Sequence, residues 1–242
     1  MTPADIGLFL QSARTDQRIA EIRATEGTRA AFEAAYAEAD PWASASPRYR
    51  YQRWKYQSLM AALPAGQRFD RVLDLGSGMG ALSQSLTMVS DNVLGLDIAQ
   101  SAVDQARLRA VGRSGLVFAQ GDLGALDPAL DGTFDLVVVA DTIYYLDAVD
   151  DASLKTVAAR ITRLLAPGGL CLLANHYFFS GDKDSKLTRR IHDAFAWSPG
   201  FDLVFLQRRP FYLTSLLRRA APMIGPPMLE TPMLGTQMLG TG

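Results

Sequence analysis

The stretch "VLDLGSGMG", residues 72–80, decides the fold. A short apolar run ends in Asp74, and glycines then alternate at Gly76, Gly78 and Gly80. A strand that turns tightly into a helix needs residues without a Cβ where its backbone nears a ligand. Leu82, Leu86 and Val89 give the helix that follows one apolar face.

Working outward, strands and helices alternate. "NVLGLD" (92–97), "LVFAQGD" (116–122), "FDLVVVAD" (134–141) and "LCLLAN" (170–175) read as further strands. The fourth, at 134–141, is apolar enough to be buried on both faces. Ala99, Ala102, Val103, Ala106 and Ala110 mark one intervening helix, and Leu154, Val157, Ala158, Ile161 and Leu165 mark another that stops at "APGG". Helix-length connections imply parallel β-α-β units and a doubly wound α/β sheet. A basic helix near 183–196 and an apolar stretch at 201–217 complete it.

The flanks differ. Residues 1–39 read as one or two exposed helices, and a helix period returns from Gln52 to Leu63. Between them, "DPWASASPRYRYQRWKY" (40–56) reads as a lid over a ligand, or else as a fixed wrap with Trp42 and Tyr56 buried. From 222 onward methionine recurs every five residues in a low-complexity segment that reads as a disordered tail. The expected divisions are 1–63 (cap and lid), 64–219 (the α/β domain) and 220–242 (tail).

Composition narrows the function. The 242 residues are 48% hydrophobic and 20% charged, with net charge -1. That balance argues against a nucleic-acid partner. One cysteine, Cys171, rules out an intramolecular disulfide and a cysteine-based metal site. No apolar run is long enough for a membrane span, so cytoplasm is the expected location.

The glycine loop alone admits NAD, since Ala81 is tolerated at the sixth position of the dinucleotide fingerprint. Asp74 argues otherwise, because a carboxylate there repels a pyrophosphate and suits a cationic ligand. Asp97 ends the second strand, 21 residues beyond Gly76, where an acid accepts ribose hydroxyls. Asp122 ends the third, placed to accept from an exocyclic adenine amine. Together they describe an adenosine with a cationic, amino-acid-like extension, such as S-adenosyl-L-methionine.

The series "VLDLGSGMG … LGLDIA … QGDL … FDLVVVADTIYYL … LAPGG" (71–175) resembles the class I S-adenosylmethionine-dependent methyltransferases. The resemblance implies a mostly parallel seven-stranded Rossmann-like sheet with an N-terminal helical cap. By it, Asp74, Gly76, Ser77, Gly78 and Gly80 cradle the methionine end. Asp97 takes the ribose, Ile98 packs on the adenine, Asp122 with Leu123 reads its edge, and Asp141 stands near the sulfonium. "DPW … YQRWKY" and "YYL" are similar to the nodulation-type (NodS-like) methyltransferases, whose known member methylates a saccharide amine. Gln52 stands where that pattern has an acid.

On the acceptor side, residues after the fourth and fifth strands gather: Asp141, Thr142, Tyr144, Tyr145, Asn175, His176 and Tyr177. His176 reads as the general base, or as a loop histidine, with Tyr144 and Asp141 beside it. His192 reads as solvated. Trp42 is expected to cover the cofactor, and Arg53 or Lys55 to reach the methionine carboxylate. Asp147, Asp150 and Asp151 read as helix-capping acids rather than metal ligands. Eight basic residues between 182 and 219 suggest a wall for an anionic acceptor. The expected activity is methyl transfer to a small molecule, an amine or hydroxyl of a saccharide being one candidate. The alternatives are a NAD-dependent oxidoreductase and a non-catalytic binding protein.

Overall fold

The computed structural model describes residues 3–37 and 40–221. The Met-rich repeat and the expected tail lie outside them. Apolar β-branched runs form the centre: β1 (Val72–Leu75), β2 (Val93–Asp97), β3 (Leu116–Gln120) and β4 (Phe134–Ala140). β5 (Leu165–His176), β6 (Phe201–Arg209) and β7 (Tyr212–Arg219) follow. They make one seven-stranded sheet in the order β3-β2-β1-β4-β5-β7-β6. β1 to β5 pair in parallel, while β7 is antiparallel to both β5 and β6.

Helices cover both faces. α3 (Arg50–Met60), α4 (Ala81–Leu86) and α5 (Gln100–Arg109) lie on one side, and α6 (Asp151–Leu164) and α7 (Lys183–Ala196) on the other. Leu59, Leu86, Val103 and Leu136 belong to the first core layer. Val137, Val139, Leu154, Ile161 and Phe195 belong to the second. The apolar periods of α6 and α7 place these side chains, and each helix starts on an aspartate. Asp150 accepts from the Ala152 and Ser153 amides at 3.0 Å each, and Asp182 from that of Ser185 at 2.7 Å.

The helix stops before "APGG" as expected, but Leu165 belongs to the next strand rather than to the helix. α6 ends at Leu164 and β5 begins at Leu165, so the four residues are the start of β5, where Gly168 takes φ 75°. The N-terminal helices α1 (Pro3–Glu26) and α2 (Thr28–Tyr36) are not merely exposed. Ile19, Phe32 and Tyr36 are buried with Met79, Ala99 and Ala102, which fastens the cap over the carboxyl ends of β1 and β2. No helix among the described residues is long and apolar enough to cross a membrane.

Candidate active site

The strand order reverses direction between β1 and β4, the place where open α/β sheets bind ligands. A cavity of about 590 Å³ opens there. Its floor is the end of β1 and the glycine loop, and its walls come from β2, β4, β5, α1 and α3.

The loop is shaped by its neighbours. Gly76 has φ 74°, and a Cβ on it would meet Thr142 Oγ1 at 2.3 Å. Thr142 Oγ1 in turn donates to Leu75 O at 3.0 Å, which holds the end of β1 against the β4 turn. Gly80 serves packing rather than the cavity: a Cβ there would strike the Phe118 ring at 2.4 Å, and Gly80 does not line the cavity. Ser77 does line it, and its buried Oγ has no hydrogen-bond partner.

Two carboxylates are buried beneath the loop. Asp74 accepts from Ser83 Oγ at 2.5 Å, and burial pushes its pKa up to about 7 against that bond. Asp97 accepts from Gly78 N at 2.8 Å and Ala99 N at 3.0 Å, and burial raises it to about 6. Asp97 therefore ties the loop to β2 while lining the cavity with Ile98. Asp122 and Leu123 also line it. Asp122 accepts from Gly124 N at 2.7 Å and stands 4.0 Å from Arg29.

Asp141 follows β4 with φ 53°, a conformation L-residues rarely adopt. Its Oδ1 accepts from the His176 amide at 3.0 Å, and its Oδ2 pairs with Lys55. Burial would raise its pKa, but the Lys55 charge and the hydrogen bonds from Lys55 and the His176 amide hold it below the usual range. Lys55, buried on α3, is thereby committed to Asp141 in this state. Arg53 is exposed on the same helix and does not line the cavity, because two residues along a helix turn a side chain well away. Of the two expected partners for a ligand carboxylate, Lys55 lines the cavity and Arg53 does not.

On the acceptor side the structure selects among the expected residues. Asp141, Thr142, Tyr144, Tyr145 and His176 line the cavity, whereas Asn175 and Tyr177 do not. Alternation along β5 puts Asn175 on the opposite face from His176, fully buried. The His176 ring meets Tyr144 at 4.5 Å edge-on and stacks on Phe178 at 5.6 Å. His192 is not solvated: it is buried under β7 with Nδ1 2.7 Å from Ser215 Oγ, and burial drives its pKa down to about 3.

The basic wall is likewise corrected. None of the eight lysines and arginines between 182 and 219 lines the cavity, and α7 instead offers Asp184 and Leu187 to it. Arg190 pairs with Asp151 at 2.9 Å, and Arg189 with Asp193 at 3.3 Å. Of the acids before α6, Asp150 is the cap, Asp151 holds Arg190 and Asp147 accepts from Thr28 Oγ1. No metal-holding cluster occurs among the described residues.

Sequence reasoning missed Asp16. Phe9, Ala13, Asp16, Ala20 and Arg23 form one stripe of α1 facing the cavity. Their spacing of three and four was visible, with an acid in mid-stripe. Asp16 Oδ1 accepts from Trp42 Nε1 at 2.8 Å and Tyr145 OH at 2.5 Å.

Residues 73–173 match a family described as "Methyltransferase domain". Over these residues the chain is similar to the methyltransferase domain family. Around this domain it is 27% identical over 153 residues to Nodulation protein S of Rhizobium tropici, covering 63% of this chain and 59% of that protein. It is 32% identical over 130 residues to a malonyl-[acyl-carrier protein] O-methyltransferase of Enterobacter lignolyticus, covering 52% of this chain and 48% of that one. The chain thus spans about half to three-fifths of the length of these relatives. Among solved structures, N-methyltransferase NodS from Bradyrhizobium japonicum in complex with S-adenosyl-L-homocysteine superposes with TM-score 0.66 at 20% identity. The match covers 80% of this chain and 98% of NodS. The shared fold includes the seven-stranded methyltransferase sheet.

Proposed function

We propose that the chain uses S-adenosylmethionine to methylate a nitrogen or oxygen of a small molecule. The observation that carries this is the convergence, on one cavity at the β1/β4 switch point, of Ser77, Asp97, Asp122 and Asp141. The donor set fits the cofactor. Asp97 offers carboxylate oxygens to ribose hydroxyls, Ile98 and Leu123 offer apolar faces to adenine, and Asp122 accepts from its amine. The unpartnered Ser77 Oγ, with the backbone of Gly76 and Gly78, suits the methionine end.

When bound, S-adenosylmethionine supplies an electrophilic methyl group on a sulfonium. The chain's residues align and desolvate. Trp42, Tyr36 and Phe32 pack together at 5.4–5.9 Å and roof the cavity, which excludes water. Asp141 provides negative charge on the acceptor side, tempered by Lys55. The His176 ring lines the acceptor side of the cavity, where a general base would stand. An amine or hydroxyl of a saccharide is the acceptor that the nodulation-type likeness suggests.

Calorimetry with S-adenosylhomocysteine and NAD tests the cofactor. Binding of the first and not the second is expected, and the reverse would restore the oxidoreductase alternative. Methyl transfer from labelled cofactor to a panel of sugar amines, aryl amines and alcohols then separates an enzyme from a non-catalytic binder.

A further inference from the structure

A belt of rings crosses the acceptor side of the cavity. Phe9 meets Phe178 at 5.5 Å, Phe178 meets His176 at 5.6 Å, His176 meets Tyr144 at 4.5 Å, and Tyr144 meets Tyr145 at 4.5 Å. Both ends of the belt return to α1: one through Phe9, the other through the bond from Tyr145 OH to Asp16. All six residues line the cavity.

Asp16 differs from every other acid in that wall. Asp141 is paired with Lys55. Asp74 is held by Ser83 and Asp97 by two backbone amides, both in the floor. Asp122 caps a turn near Arg29, and Asp184 is exposed on α7. Asp16 has no lysine or arginine within ion-pair distance among the described residues. Its two hydrogen bonds converge on Oδ1, so Oδ2 accepts none among the described residues. Arg23, the cation next along the α1 stripe, is turned to Tyr145 O at 2.9 Å.

We infer that Asp16 and the ring belt form a recognition site for the ammonium group of an amine carried on an apolar, ring-bearing skeleton. A partly buried carboxylate with a free oxygen offers charge-assisted hydrogen bonds to an ammonium. Aromatic faces attract the same cation and give area to a flat apolar body. The site deepens the methyltransferase reading by naming its acceptor class, and it rests on that reading for its place in the reaction: the bound ammonium gives its proton to His176 or to water before the neutral nitrogen takes the methyl group and the thioether leaves.

The test is a titration of the full chain, with and without S-adenosylhomocysteine, using phenethylamine, 2-phenylethanol and glucosamine as probes. Phenethylamine is expected to bind at least tenfold more tightly than either of the others. Asp16→Asn keeps an oxygen for Trp42 and Tyr145 but removes the charge, so the tenfold preference over the alcohol should vanish while affinity for S-adenosylhomocysteine stays. A purely structural role for Asp16 would weaken amine and alcohol alike and leave their ratio intact. That result would overturn the inference, as would undetectable phenethylamine binding or preference for glucosamine. Failure of S-adenosylhomocysteine to bind would instead count against the cofactor reading, and the amine titration without it stands by itself.

Discussion

At the scale of single residues, the acids divide by where they sit. Asp74, Asp97 and Asp122 were legible because each ends or follows a strand, and strand ends converge at the switch point. Asp16 and Lys55 were not, since each acts from a helix whose docking depends on contacts far along the chain. His192 was misread because a basic helix also has a buried side. Asp97→Ala removes two charge-assisted acceptors of about 1.5–3 kcal/mol each. Affinity for S-adenosylhomocysteine should fall at least tenfold by calorimetry, and unchanged affinity would remove Asp97 from the ribose. His176→Ala should slow turnover ~10²–10⁴-fold with cofactor affinity unaltered. Intact turnover would leave His176 as a wall of the cavity. Asp74 gives a pH signature. Its folded value of about 7 lies above the ordinary 3.8, so its contribution to stability is complete below the ordinary value and is lost as pH rises through 7. Asp74→Asn should therefore melt with wild type near pH 4 and several degrees above it at pH about 8 in the ligand-free protein. A gap independent of pH would show that Asp74 is ionised throughout.

At the scale of elements, the parallel strands lay close to their apolar runs, because strands buried on both faces leave little room for another reading. The first parts of the chain were harder. Nothing local in α1 says that one stripe of it walls a cavity built from residues over a hundred positions away. The segment from 40 to 56 is fastened at several points: Asp40 accepts from the Ser44 and Ala45 amides at 2.9 Å each, and Trp42 Nε1 holds Asp16. As a lid it should be cut near Ser44 to Ser46 by protease and protected when S-adenosylhomocysteine is added. Equal cutting in both states would make it a fixed wrap. α3 is held to the sheet by Lys55 and Asp141. Lys55→Met should lower stability by about 2 kcal/mol in urea, less than the ~3–5 kcal/mol of a fully buried pair because Asp141 opens to the cavity. Adding Asp141→Asn should recover part of the loss, and additive losses would deny the coupling.

At the scale of the molecule, one site joins the sheet to its N-terminal cap, so a ligand in it should stabilise the whole. At a hundredfold excess over its Kd, S-adenosylhomocysteine should add about 2.7 kcal/mol. That corresponds to a melting point roughly 5–10 °C higher for a chain of this size. A ligand that binds without raising it would be bound outside the fold's cooperative unit. The placement of β7 between β5 and β6 carries a different consequence, one of time. On the ribosome the glycine loop and the strands that present Asp74, Asp97 and Asp141 emerge first, and they pair with one another without help from the last strand. β5 and then β6 follow, β6 with its pairing partner still unsynthesised. Until residues 212–219 arrive, the outer edge of β5 is an unpaired template open to other chains. His176 lies on that edge, with Tyr212 as its register partner, although its amide is already held by Asp141. Translation that stops before residue 212 would therefore release a chain that holds every residue lining the cavity yet leaves one edge of its sheet open, and its failure would be aggregation rather than a missing active-site group.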